Sequence, residues 1–203
     1  MDILIGTLFL IVVLALFTLF TYRAPMGMRA MGALANAAIA TFLVEAFHKY
    51  VGGDLLGISF LGDLGDAAGG LGGVAAAGLV ALAIGVSPVY ALAIAASCGG
   101  LDLIPGFVAG YVIGYLMKYA ERKVPDGVDL IVGILIIAPL ARLVAVGVTP
   151  LVNNSLLKIG DIIQSSTEVS PIIMGIILGG VITVVGTAPV SYTHLTLPTT
   201  PYV

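Results

Sequence analysis

The stretch GFVAGYVIGYLMKYAERKVPDGVDLIVGILIIAPLAR, from Gly106 to Arg142, constrains this chain more than any other. An apolar segment, a short charged turn and a second apolar segment follow in order, with Arg142 set near the end of the second. Gly106, Gly110 and Gly114 recur every fourth residue, which places them on one helix face. Small residues at that spacing let another helix backbone approach closely inside a membrane. The turn holds Lys118, Glu121, Arg122, Lys123, Asp126 and Asp129, with Pro125 just before the next segment. Two apolar segments joined by a basic turn predict a membrane hairpin with its turn in the cytoplasm.

Composition agrees. Hydrophobic residues make up 60% of the chain and charged residues 9%, against about 25% charge in a soluble domain. So few charges cannot cover a water-soluble surface. The long continuous apolar runs predict helices rather than the short alternating strands of a barrel. The expected fold class is all-α: a polytopic helical membrane protein with about five spanning helices plus re-entrant or interfacial segments. With a net charge of −3, nothing points to nucleic acid. The single cysteine, Cys98, excludes an internal disulfide and any multi-cysteine metal site. No HExxH or paired-histidine zinc spacing is present. No metal and no cofactor is therefore expected.

Taken in order, Ile3 to Tyr22 is apolar and is followed by Arg23, Pro25 and Arg29. No basic residue precedes it and no small-x-small site follows it, so it reads as a retained transmembrane helix rather than a cleaved signal. The alanine-rich segment Ala30 to Val44 leads into Glu45, His48 and Lys49. Its apolar part is shorter than the about 17–25 residues a spanning helix needs, which predicts a non-crossing segment. Gly52 to Gly73 is dense in glycine and contains Asp54, Asp63 and Asp66. It matches neither a P-loop nor a dinucleotide fingerprint nor an EF-hand, and reads as a connector or re-entrant loop. Val74 to Ala96 is expected to span, kinked or broken at Pro88. Val128 to Val146 is expected to span back, and the polar Thr149 to Glu168 to lie at the outer interface or dip inward. Ser170 to Val190 is the last apolar run.

From Ser191 the chain changes to SYTHLTLPTTPYV, without charge or helical period. This tail resembles the translation of sequencing-adapter read-through. The expected division is a membrane domain over 1–190, the N-terminal part of a longer permease, and a non-native tail over 191–203.

The segments LDLIPGFVAGYVIGYLMKYAERKVPDGVDLIVGILIIAPLARL and SPIIMGIILGGVITVVGTAPVS carry a resemblance. Over Leu101 to Val190 the chain resembles the membrane subunit (enzyme IIC) of a bacterial sugar phosphotransferase system, within the branch resembling regulators of toxin genes. The resemblance implies a dimeric, multi-pass permease of the bacterial inner membrane. Such a permease binds a sugar and presents it to a phosphorylated cytoplasmic subunit of the system. In better-known enzyme IIC families a short glutamate motif and a histidine hold the sugar. That motif is not found here; it lies beyond Val190, or this branch lacks it.

Ionisable and polar groups in membrane segments are costly and are functional candidates by default. Glu45 and His48, at i and i+3, share a helix face, where a carboxylate and an imidazole can receive sugar hydroxyls. The bland alternative is a solvated pair at a helix end. Asn36 bridges helices or hydrogen-bonds a sugar. Arg142 snorkels outward, pairs with a carboxylate such as Asp102, or meets a ligand. Asn36, Glu45, His48, Asp102 and Arg142 are the candidate substrate-binding residues. Lys118, Arg122 and Lys123 orient the chain and are candidates for docking a phosphorylated partner. No nucleophile–base–orienter set exists, so no catalysis is expected from this chain alone. The rival functions are an ion-coupled secondary transporter, with Glu45, Asp102 or Arg142 coupling the ion, and a membrane sensor that does not transport.

Overall fold

The structure is a computed structural model that describes the backbone of residues 2–125 and 128–169, and side chains from residue 11 to 154 within those bounds. Every described regular element is helical. In order these are α1 (Asp2–Arg23), α2 (Gly27–Ala38), α3 (Ser59–Gly69), α4 (Gly72–Ala83), α5 (Pro88–Ser97), α6 (Leu103–Lys123), α7 (Val128–Val132) and α8 (Ala138–Val169). Two π-helical stretches, Ile39–Leu43 and Ala46–Leu55, extend α2, and a third, Gly133–Ile137, joins α7 to α8. The chain forms two compact units, one of Met1–Met28 with Asn153–Val203 and one of Arg29–Val152. The first contains α1, which is apolar overall from Ile11 to Arg23.

The second unit is packed inside out relative to a soluble protein. Its core is rich in alanine, including Ala30, Ala37, Ala76, Ala77, Ala81, Ala109, Ala141 and Ala145. Many large apolar side chains, such as Phe42, Phe60, Leu92, Leu135 and Leu143, are exposed. Lipid provides no hydrophobic drive between helices, so small residues at contacts and bulky ones outward is the expected membrane arrangement. Among the described residues three helices are long and apolar enough to cross a membrane: Gly27–Leu55, Leu103–Lys123 and Val128–Asn154. A fourth crossing results if α3 and α4, bent at 50°, count as one span. The last two of the three are the arms of the hairpin expected on either side of the basic turn.

Several expectations are corrected. The segment Ala30–Val44 does not stop at Glu45; the helix runs on to Leu55, giving 29 residues that pass for a span. Two of the three ionisable groups in the polar run of Glu45, His48 and Lys49 have partners there: His48 Nδ1 lies 2.9 Å from the Val44 carbonyl, and Lys49 pairs with Asp66 at 2.7 Å. Of the two readings of the glycine-dense Gly52–Gly73, the loose connector is corrected, while its bend of 50° into α4 suits a broken span or a re-entrant loop. The stretch folds into α3, which returns along the end of α2 at backbone distance; a Cβ on Gly53 would lie 2.7 Å from Gly62 Cα. The expected span Val74–Ala96 is instead two short helices. Gly85 at φ +92° and Pro88 at the first turn of α5 reverse the chain between α4 and α5. A Cβ on Gly78 of α4 would meet Ala95 Cβ of α5 at 3.0 Å, as an antiparallel pair requires.

Thr149–Glu168 is likewise not a separate interfacial piece, because α8 runs through it with Pro150 inside the helix. Five spans are not seen among the described residues. The expected run Ser170–Val190 and the tail from Ser191 lie outside them.

Candidate functional site

The middle of the second unit is set by one close crossing. Along α6, Gly106, Gly110 and Gly114 lie on Gly73, Ala77 and the Ala81–Ile84 turn of α4 respectively. Both series advance in the same direction, so α4 and α6 run parallel, with α5 antiparallel between their ends. At one end of this group the chain breaks between α3 and α4 and turns between α5 and α6. At the other end it turns from α4 into α5. Polar groups gather at both ends.

The first end holds three of the sequence-derived candidates. Glu45 packs its carboxylate on the Cα of Gly69, the last residue of α3; a Cβ there would lie 2.7 Å from Oε1. Glu45 is partly buried and accepts no hydrogen bond and no ion pair among the described residues. Lys49, the nearest cation along the helix, is taken by Asp66. Across the break, Gly73 N–H donates to the Leu101 carbonyl at 3.0 Å, and Asp102 stands as the exposed residue that opens α6. Arg142 reaches the same end of the group from α8. Its Nη1 donates to the carbonyls of Gly99 at 2.6 Å and Ser97 at 3.2 Å. Arg142 therefore satisfies the carbonyl of Ser97 at the C-terminal end of α5 and that of Gly99 just past it, where a cation also suits the helix dipole. It does not pair with Asp102.

His48 lies one turn beyond Glu45 and is partly buried. A carbonyl can only accept, so its Nδ1 carries the hydrogen toward Val44. In the neutral ring Nε2 is then left as the acceptor. Asn36 is exposed and stands more than two helical turns before Glu45, outside this group.

The opposite end holds residues the sequence reading did not single out as a site. Lys118 Nζ donates to the Ile84 carbonyl at 2.7 Å, at the C-terminal end of α4. One helical turn on, Glu121 Oε1 accepts from the Ser87 N–H at 3.1 Å and from its hydroxyl at 2.5 Å, at the N-terminal end of α5. Tyr90 Oη donates to Asp129 Oδ2 at 2.5 Å, tying α5 to α7. Ser87, Glu121, Tyr90 and Asp129 were missed as a group. The available signals were Ser-Pro at 87–88, a helix-start pattern, and the i, i+3 placement of Lys118 and Glu121. Of the basic docking candidates, Lys118 is committed to this contact, while Arg122 and Lys123 are exposed at the end of α6. Among the described residues no group of His, Cys, Asp and Glu could hold a metal ion.

A family model described as "Phosphotransferase system, EIIC" matches residues 28–197, most of the chain, taking in all of the second unit and none of α1. No curated protein and no solved structure matches.

Proposed function

Since the chain belongs to the phosphotransferase system EIIC family, we propose that it is a sugar-binding permease subunit of the bacterial inner membrane, with its sugar held beside Glu45 and His48. The membership makes it a membrane component of a phosphotransferase system. The sugar site rests on one observation: a partly buried carboxylate without a donor, set against the bare Cα of Gly69 where α3 breaks from α4.

Sugar hydroxyls are the donors such a carboxylate lacks, and charge-assisted bonds of this kind are among the stronger ones. His48 Nε2, one turn along the same helix, adds an acceptor in the neutral ring. The missing side chain at Gly69 lets the Glu45 carboxylate lie against the α3 backbone at this break. Sites at broken helices recur in transporters because unpaired backbone groups can face a substrate there. Alternating access would then expose the sugar to a phosphorylated subunit docking near Arg122 and Lys123. The phosphoryl donor is that subunit; this chain binds and positions the sugar.

The test is a panel of sugars added to the purified protein, read by thermal shift and equilibrium binding. One sugar raises the melting temperature, and Glu45→Ala weakens its binding by about tenfold or more, the worth of one charge-assisted hydrogen bond. Binding that is unchanged in Glu45→Ala and His48→Ala would place the sugar elsewhere. No binding by any sugar would favour an ion-coupled transporter or a sensor.

A further inference from the structure

The hairpin α4–α5 is fastened differently at its two ends. At its base, α4 meets α6 backbone to backbone; a Cβ on Gly106 would lie 2.7 Å from Gly73 Cα, and one on Gly110 2.5 Å from the Ala77 carbonyl oxygen. The Gly73–Leu101 backbone bond and Arg142 complete that fastening. Toward the tip the contact passes to side chains. Ile84 fills the space over Gly114, and Lys118 and Glu121 reach the turn itself.

The tip also needs those two side chains chemically. It contains the last carbonyls of α4 and the first N–H of α5, groups that helices leave unpaired at their ends. Such groups need a partner from the protein or from water. Lys118 supplies a cation to the C-terminal end of α4, and Glu121 an anion to the N-terminal end of α5. Each sign matches the dipole it faces. Both come from one turn of one helix, so a small displacement of the tip breaks both together.

We infer that Lys118 and Glu121 form a two-point catch that holds the α4–α5 tip closed on α6, and that release of this tip is a step of the transport cycle. The second half rests on the sugar-permease reading; the first does not. Lys118 and Glu121 are positioning residues here, acting on the tip rather than on the sugar.

Val86, between the two contacts, is 4% exposed, and the native Cys98 is fully buried. A thiol reagent applied to open membrane vesicles carrying the full chain with V86C therefore reports on the tip. Labelling is slow in V86C alone. Adding Glu121→Leu or Lys118→Met raises its rate by about tenfold, one charge-assisted bond lost. Glu121→Gln, which keeps an acceptor oxygen but not the charge, labels at a rate between those of the V86C parent and Glu121→Leu, and Arg122→Leu does not change it. Unfolding would label Cys98 as well, so chains without V86C must stay unlabelled in the Glu121→Leu background.

Equal labelling rates in V86C with and without Glu121→Leu and Lys118→Met would overturn the catch. For the cycle, Glu121→Leu lowers the maximal uptake rate while the apparent sugar affinity holds. A loss of affinity instead would make the tip part of the sugar site and overturn the positioning role. A parent chain that takes up no sugar would defeat the permease reading and leave the labelling result standing.

Discussion

Gly106 of α6 and Gly73 of α4 cross with their backbones in contact, so that a Cβ on Gly106 would lie 2.7 Å from Gly73 Cα. Four residues on, Gly110 meets the Ala77 backbone in the same way. The obstructing atoms are main chain and cannot rotate away. Gly106→Ala or Gly110→Ala must part the two helices, at about 1–3 kcal/mol each as for overpacked cores. Thermal unfolding in detergent should show both variants melting well below the parent. Gly147 on α8 has no neighbour within 4 Å of its would-be Cβ. Gly147→Ala should be neutral, or stabilise by about 0.5–1 kcal/mol through backbone entropy.

Arg142 offers a second check. Arg142→Leu leaves the Ser97 and Gly99 carbonyls without their donor, a cost of about 1–3 kcal/mol per orphaned group. Arg142 is exposed, so water replaces part of the loss and the low end applies. Arg142→Lys keeps one donor and the charge at the end of α5, and should recover part of the melting temperature. Equal melting of Arg142→Leu and the parent would deny the capping role.

These relationships show what the sequence could and could not carry. The hairpin around the basic turn and the glycine face of α6 were legible, because apolar length and a four-residue repeat are local signals. The partner of that face was not, since Gly73, Ala77 and Ala81 repeat at the same spacing inside a stretch that reads as loop and alanine-rich span. Pro88 was legible as a break but not as a reversal; the decisive residue is Gly85, whose positive φ has no unique signature. Composition misjudged α2, because Glu45, His48 and Lys49 look like a helix end until Asp66, far along the chain, neutralises Lys49. Glu45, Asp102 and Arg142 were legible as costly groups, but spacing could not tell that Arg142 faces carbonyls.

Tyr90 and Gly133 are coupled through shape. A Cβ on Gly133 would lie 2.8 Å from Tyr90 Cδ1, while the ring's hydroxyl is held by Asp129. Gly133→Ala should therefore destabilise the parent but cost far less in a Tyr90→Ala background. The interaction energy from this double-mutant cycle should fall within about 0.5–3 kcal/mol. A cycle that closes additively would show that α5 and the π-helical stretch after α7 do not meet at this point.

Gly65 and Gly69 of α3 separate packing from binding. A Cβ on Gly65 would lie 2.5 Å from the Lys49 backbone nitrogen, which cannot yield, so Gly65→Ala should push α3 from α2 and lower the melting temperature. The atoms nearest a Cβ on Gly69 would be those of the Glu45 carboxylate, the movable end of a side chain. Gly69→Ala should leave the melting temperature close to the parent while rotating that carboxylate away from its place. If Glu45 receives the sugar at the α3–α4 break, Gly69→Ala weakens sugar binding about as far as Glu45→Ala does, by about tenfold. Combining the two substitutions should then add little, because the first has already removed what the second removes. Full additivity of Gly69→Ala and Glu45→Ala in binding would mean that the carboxylate works from another position, and the sugar site would have to be moved from the break.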